Sequence, residues 1–156
     1  MSAILQDHRT ESEQRADVIA EARTWLGTPW QHQAAIKGDA VDCAMFLISV
    51  FQRAGVIGAF DPRPYPRSWF VHQGEERFLN SMVSHFGCIE VPPDEAVPGD
   101  IVMYKIGRCY AHGSILVEPQ LVIHSFAKNG KVVYTETFDP SLSTLSPRAF
   151  NPWGNR

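Results

Sequence analysis

The chain has 156 residues, of which 44% are hydrophobic and 20% charged, and its formal net charge is −3. This length and composition are typical of one globular domain with a sizeable core, and they argue against a disordered chain. The sequence contains no run of Lys or Arg of the kind that marks a nucleic-acid-binding surface. We therefore treat residues 1–156 as a single domain and expect no nucleic-acid partner.

The N-terminal segment has acids early and no long apolar stretch, so the sequence predicts neither a signal peptide nor a membrane-inserted helix. The three cysteines, Cys43, Cys88 and Cys109, lack paired spacing, which disfavours a disulfide framework and a zinc site. We expect synthesis in the cytoplasm, reduced thiols, no metal and no cofactor.

Helical patterns fill the N-terminal half. Apolar residues at helical spacing predict a first helix from about Glu13 to Leu26, which the turn at residues 27–30 ends. Alternating prolines at 62, 64 and 66 then predict an extended surface loop. Residues Gln73–Phe86 are compatible with a further helix.

Strand patterns fill the C-terminal half. Helices followed by an antiparallel sheet predict an α+β domain, with a core at about residues 13–138 and a C-terminal tail at 139–156. The predicted strands are Ile101–Tyr104, His112–Val117, Leu121–Ser125 and Lys131–Phe138, with Lys128-Asn129-Gly130 as the turn between the last two.

The helix predicted from Asp42 to Ala54 is apolar on nearly all sides and should be the buried central helix, with Gly55 as its left-handed cap. Asp42 is the predicted N-cap, which places Cys43 in the first turn. Free backbone N–H groups and the helix dipole favour a thiolate there, and a thiolate is a nucleophile. The position is equally compatible with a small buried residue that happens to begin a helix.

A nucleophilic thiol needs a base, and two histidines lie on strands of one predicted hairpin. If residues 118–120 form a three-residue loop, Val117 pairs with Leu121, and the side chains of His112 and His124 lie on the same face. A two-residue loop would place the two rings on opposite faces.

In the three-residue register, Ser114 lies opposite His124, and Phe126 shares their face. His112 and His124 are then diagonal neighbours whose rings can meet. One imidazole could take the thiol proton while the other orients it. The alternative is that one histidine, His124 in particular, is a strand residue without a catalytic role.

Five motifs resemble, in their order along the chain, those of the NlpC family of cell-wall peptidases. They are TWLGTPW, VDCAMFLISVFQRAG, VPGDIVMY, AHGSILVE and LVIHS, and the resemblance covers about Val18 to Glu136. It implies a papain-like α+β fold, with the cysteine on a central helix packed against an antiparallel sheet. It also implies hydrolysis of amide bonds in peptidoglycan stem peptides.

Carried over residue by residue, the resemblance makes Cys43 the nucleophile, His112 the general base and His124 the residue that orients it. Asp42 matches an acid that in many members helps to hold the free amine of the substrate. We assign Asp42, Trp30 and Ser114 to substrate binding.

Two positions depart from the family pattern. Ala44 stands where many members have a serine that joins in substrate binding, which puts recognition of an exposed N-terminal amine in doubt. Trp30 stands where the family has a tyrosine; it keeps an aromatic wall and loses the hydroxyl.

A short catalytic domain without a leader resembles the peptidases of phage tails and gene-transfer particles. That resemblance implies tail proteins as partners and a location in a particle that acts on the periplasmic cell wall. Two other functions remain open: a non-catalytic structural or plug component of a tail, and a thiol acyltransferase with an apolar groove beside Cys43.

Overall fold

A computed structural model describes residues 7–66 and 76–154 of the chain. The helices in this part are α1 (Glu11–Arg23), α2 (Cys43–Arg53), α3 (Arg77–Phe86) and the short α4 (Pro140–Ser143). The strands are β1 (Ala35–Ile36), β2 (Ala40–Val41), β3 (Ile89–Val91), β4 (Ile101–Ile106), β5 (Cys109–Glu118), β6 (Leu121–Phe126), β7 (Lys131–Glu136) and β8 (Arg148–Asn151).

Six strands form one antiparallel sheet in the order β3-β8-β4-β5-β6-β7, while β1 and β2 form a separate two-stranded ribbon. This architecture confirms the predicted α+β class. None of the helices in the described residues has the length and hydropathy needed to span a membrane.

The central helix is α2, as its apolar sequence predicts. Its buried side chains are Ala44, Met45, Phe46, Leu47, Ile48, Val50 and Phe51. It packs against β5 and β6 on one face of the sheet and against α1 on its other side. The closest approach is at Gly113 of β5, where an added Cβ would lie 2.5 Å from Leu47 Cδ1. Glycine at this position therefore lets the helix and the strand approach closely.

Both ends of α2 follow the local sequence signals. Asp42 is the N-cap, because its side chain accepts a 2.8 Å hydrogen bond from the backbone N–H of Met45. Gly55, just beyond the helix, has a positive φ of 75°. The first predicted helix is shifted, because Thr10 and Glu13 form a capping box and α1 runs over Glu11–Arg23 rather than 13–26.

Residues 139–154 do not form a separate tail. Strand β8 lies between β3 and β4 within the sheet, and Trp153 is buried, with its indole N–H donating a 2.9 Å hydrogen bond to Gln14 Oε1. The sequence prediction missed β8 and β3 because strands of four and three residues are too short to show a clear alternation.

Two further expectations change in the structure. The extended segment that follows α2 is not wholly on the surface, because the Tyr65 side chain is buried; its predicted end at residues 67–69 lies outside the described residues. The helix predicted at Gln73–Phe86 begins at Arg77 in the described part of the chain, and residues 73–75 lie outside it.

Candidate active site

The β5–β6 hairpin places both histidines on one face, but by a different route from the predicted one. The expected register holds as far as Leu116, but Leu121 pairs with Glu118 instead of Val117. The turn therefore has two residues, and Val117 is an extra residue in a β-bulge. The predicted three-residue loop was wrong. The extra residue in the bulge nevertheless keeps the register that places both rings on the same face.

The two imidazoles form a hydrogen-bonded pair. His112 Nε2 lies 2.7 Å from His124 Nδ1, and His124 Nε2 lies 2.8 Å from the hydroxyl oxygen of Thr135. The ring of Phe126 stacks on that of His112 at a centroid distance of 4.5 Å. Both histidines are buried, so Thr135 and Phe126 limit how far either ring can turn.

Burial sets the charge state of this pair. It lowers the pKa of His124 to about 4, and it lowers the pKa of His112 well below its usual value, with His124 as a smaller cause. Both rings are therefore neutral near pH 7. If His112 accepts a proton at Nδ1, then its Nε2–H donates to His124 Nδ1, and His124 donates through Nε2 to Thr135.

The thiol of Cys43 lies against the backbone on both sides of His112. Its Sγ donates a 3.6 Å hydrogen bond to the carbonyl of Ala111, the extra residue in a second bulge, between β4 and β5. The backbone N–H groups of Gly113, Ala44 and Cys43 itself favour the negative charge of a thiolate. The thiol therefore lies next to the backbone around His112, but no hydrogen bond or ring contact among the described residues joins it to either imidazole. Both rings pack with Phe126, whose core cluster lies on the face of the sheet away from α2.

The thiol itself differs from the expectation of a thiolate. Burial, followed by the negative charge of Asp42, raises the pKa of Cys43 to about 12. The N–H groups at the start of α2 act in the opposite direction but do not offset these two effects. The resting thiol and both imidazoles are therefore neutral, although the Cys43 side chain keeps partial contact with solvent.

Asp42 is 3% exposed, and both of its carboxylate oxygens have partners. Oδ1 accepts the capping hydrogen bond from Met45, while Oδ2 accepts a 2.7 Å hydrogen bond from the backbone N–H of Gln33 and another from the Tyr65 hydroxyl. The expectation that this acid holds a substrate amine stays a prediction, and in this structure protein donors take both oxygens.

The other two residues assigned to substrate binding differ from each other. Trp30 is partly exposed, and its backbone bridges to Val41, two residues before Cys43. Ser114 is completely buried, and its hydroxyl donates a 3.1 Å hydrogen bond to the carbonyl of Val102. The substrate contact expected of Ser114 stays a prediction, and in this structure its hydroxyl joins β5 to β4.

Sequence reasoning missed Thr135, Gln33 and Tyr65. Thr135 is a diagonal neighbour of His124 on β7 because Phe126 pairs with Lys131, which leaves four residues in the turn. The predicted three-residue turn would have placed Thr135 on the opposite face, so no signal for it was present in the sequence. Gln33 and Tyr65 lie in irregular segments for which no pattern predicts a contact. Within residues 7–66 and 76–154, no group of three or more His, Cys, Asp or Glu side chains is arranged to hold a metal ion.

A helix with a thiol at its N-terminus, packed on an antiparallel sheet that carries two imidazoles, is the architecture of a papain-like domain. In sequence, no family profile and no curated protein matches the chain. Its fold is that of NlpC/p60 domains, as comparison with solved structures shows.

Three of these structures illustrate the similarity. The peptidoglycan hydrolase RipB from Mycobacterium tuberculosis is 18% identical over 90% of this chain and 65% of its own, with a TM-score of 0.61. The P60 domain of an antigen from M. avium subspecies paratuberculosis is 17% identical over 90% and 96%, with a TM-score of 0.59. RipD from M. tuberculosis, described as a non-catalytic NlpC/p60 domain protein adapted to peptidoglycan binding, is 13% identical over 88% and 96%, with a TM-score of 0.56.

Proposed function

We propose that this protein is a cysteine hydrolase that cleaves amide bonds in the stem peptides of peptidoglycan. The observation that carries the proposal is the position of the Cys43 thiol at the N-terminus of α2, where the backbone N–H groups of Cys43, Ala44 and Gly113 favour a negative charge on sulfur. A nucleophile, a base and a residue that orients the base are the groups that acyl transfer requires.

The reaction begins from neutral groups. When the thiol attacks the scissile carbonyl, a tetrahedral intermediate forms on Cys43 and the thiol proton passes to His112, whose ring has to turn from its position against Phe126 towards α2. The backbone N–H groups of Cys43 and Ala44, which already favour a negative charge at Sγ, are placed to donate to the oxyanion. His112 then protonates the leaving amine and next activates a water molecule that hydrolyses the thioester, while His124 holds the ring.

Two observations support peptidoglycan as the substrate. The five sequence motifs resemble those of NlpC peptidases, and solved structures with this fold include RipB and SagA, which are described as peptidoglycan hydrolases. The chain spans 65% of RipB and 97% of the SagA domain. The proposal thus takes the substrate class from these similar proteins, and a direct test is required.

The test is digestion of purified peptidoglycan, followed by mass spectrometry of the released fragments, which also identifies the cleaved bond. We expect Cys43→Ala to lower the rate by about a thousandfold or more. Cys88→Ala is the matched control, because it removes a buried thiol whose sulfur bonds to Met82 in another part of the fold. Cleavage at the wild-type rate by Cys43→Ala would rule out the proposed mechanism.

A non-catalytic role is the second candidate. The neutral Cys43 thiol and the similarity to RipD favour it. It predicts that the wild-type protein sediments with insoluble peptidoglycan and releases no fragment from it. Fragment release that depends on Cys43 excludes this candidate.

The biological setting belongs to the same proposal. We place the protein in a phage tail or gene-transfer particle that opens the wall locally, and the support for this is the sequence resemblance alone. The test is immunoblotting of purified particles, and absence of the protein from them would refute this setting. A thiol acyltransferase would instead form an amide or ester with an added amine or alcohol, and the same mass spectra would show that product.

A further inference from the structure

The segment of residues 61–66 closes over the carboxylate next to the candidate nucleophile. The Tyr65 hydroxyl donates to Asp42 Oδ2, and Tyr65 itself is only 7% exposed. Burial, followed by the charge of Asp42 and the hydrogen bond between the two side chains, raises the pKa of Tyr65 above its usual value; Cys43 is a further cause. The hydroxyl therefore stays protonated as a donor and lies close to the thiol.

Gln33 holds this segment in place. Its backbone N–H donates to Asp42, its side-chain Oε1 accepts a 2.8 Å hydrogen bond from the backbone N–H of Tyr65, and its carbonyl accepts a 3.0 Å bond from Arg63. Gln33 adopts a positive φ of 62°, which is uncommon for a residue other than glycine. His32 adds a 3.2 Å hydrogen bond from Nε2 to the Tyr65 carbonyl.

The segment also brings a cation to the carboxylate. The guanidinium of Arg63 pairs with Asp61 at 2.7 Å, and this hydrogen bond is the main cause that raises the pKa of Arg63, with the charges of Asp61 and Asp42 as smaller causes. The Arg63 side chain is 35% exposed, so a ligand can reach it. A substrate ammonium that approached Asp42 would meet a buried carboxylate that already accepts three hydrogen bonds, beside a guanidinium that is paired with Asp61.

We propose that Tyr65 and Arg63 make this site selective for stem peptides without a free amine near the scissile bond, such as those still attached to the glycan through an N-terminal amide. The inference rests on the proposed function and adds its substrate class. A free ammonium requires an accessible carboxylate, whereas an acylated, uncharged terminus does not. The site would thus act on the intact wall rather than on released peptides.

The test uses two synthetic stem peptides of the same sequence, one with a free N-terminus and one N-acetylated. Binding is measured by calorimetry with the Cys43→Ala variant, which holds either peptide without cleaving it. We expect the acetylated peptide to bind about tenfold more tightly. In the background of Cys43→Ala, the double variant Tyr65→Phe/Arg63→Gln should reduce this ratio to about one, because it leaves Asp42 a free acceptor position and removes the cation.

The matched control is Arg23→Gln in the same background, which removes an exposed arginine at the end of α1 and should keep the ratio. Circular dichroism verifies that each variant is folded. Equal binding of the two peptides, tighter binding of the free amine, or binding of neither overturns the selectivity. Cleavage of both peptides by the wild-type protein with equal kcat/KM overturns the selectivity and keeps the proposed reaction. Preferential binding without cleavage by the wild type keeps the selectivity and refutes the reaction.

Discussion

At the scale of single residues, the candidate site combines a thiol that resists ionisation with imidazoles that resist protonation. Burial raises the pKa of Cys43 and lowers those of His112 and His124. A thiolate–imidazolium pair is therefore disfavoured before substrate binds. The proton has to move as the carbon–sulfur bond forms, so the hydrogen bond from His112 to His124 matters most in the transition state.

The same burial makes folding stability depend on pH. The pKa of His124 is about 4 in the folded protein and about 6.5 in an unfolded chain, so the unfolded state binds more protons between these values. The contribution of His124 to folding stability is fully present above pH 6.5 and is lost as the pH falls towards 4. The loss from His124 alone is on the order of 3 kcal/mol.

Urea denaturation at pH 7.5, 6 and 5 tests this expectation. His124→Gln should lose less stability on acidification than the wild type, because it has no imidazole to protonate at that position. His8→Gln, which changes an exposed histidine, is the control and should follow the wild type. A pH dependence shared by His124→Gln and the wild type would contradict the assignment.

At the scale of elements, the site depends on the packing of α2 against β5. An added Cβ at Gly113 would lie 2.5 Å from Leu47 Cδ1 and 2.9 Å from Met103 Sδ. Both distances are too short, so a larger residue would force the side chains of Leu47 and Met103, or the helix and the strand themselves, to shift. The thiol is on one of these elements and His112 is on the other, so their separation is sensitive to this contact.

We expect Gly113→Ala to destabilise the protein by about 1–3 kcal/mol and to lower kcat more than it raises KM. Thermal unfolding and steady-state kinetics measure the two effects. Gly58→Ala is the matched control, because an added Cβ there meets no heavy atom within 4 Å.

The double variant Leu47→Ala/Gly113→Ala removes the crowding but leaves a cavity at the fully buried Leu47 position. Its loss of stability should therefore be smaller than the sum of the losses in the two single variants. A Gly113→Ala protein with wild-type stability and activity would show that the packing at this point does not position the site.

The sequence predicted those features of the site that depend on interactions between residues close together in the chain. Asp42 as the N-cap and Cys43 in the first turn of α2 were predictable, because an N-cap acts on residues next to it in sequence. The hydrogen bond from Tyr65 to Asp42 was not predictable, since it joins residues 23 positions apart through an irregular segment. The bulge at Val117 was missed because two-residue turns and bulges carry no distinctive residue here.

At the scale of the whole molecule, Arg15 joins both ends of the chain to the sheet. Its guanidinium lies 2.8 Å from Asp100 and donates to the carbonyl of Pro98 and to the side chain of Asn151. It also stacks over the ring of Trp153 at 4.3 Å. One side chain on α1 thus contacts the turn before β4 and the C-terminal strand.

We expect Arg15→Ala to lower the free energy of unfolding by about 3 kcal/mol, because Asp100 is 2% exposed and would keep a buried charge without its ion-pair partner. Chemical denaturation measures the loss. Arg23→Ala, at the exposed end of the same helix, is the control and should cost about 0.5 kcal/mol or less. A loss in Arg15→Ala no larger than in Arg23→Ala would refute the role of this ion pair.

The two irregularities of β5, at Ala111 and Val117, have a consequence for length variation. Each bulge interrupts the alternation of side chains along β5. The orientation of residues 112–116, between the two bulges, therefore does not depend on the length of the strand outside them. Extra residues inserted between Pro119 and Gln120, or at the tip near Gly107, should leave the imidazole of His112 aimed as it is. A peptide inserted at either of these two hairpin tips should therefore leave the orientation of the catalytic candidate His112 unchanged.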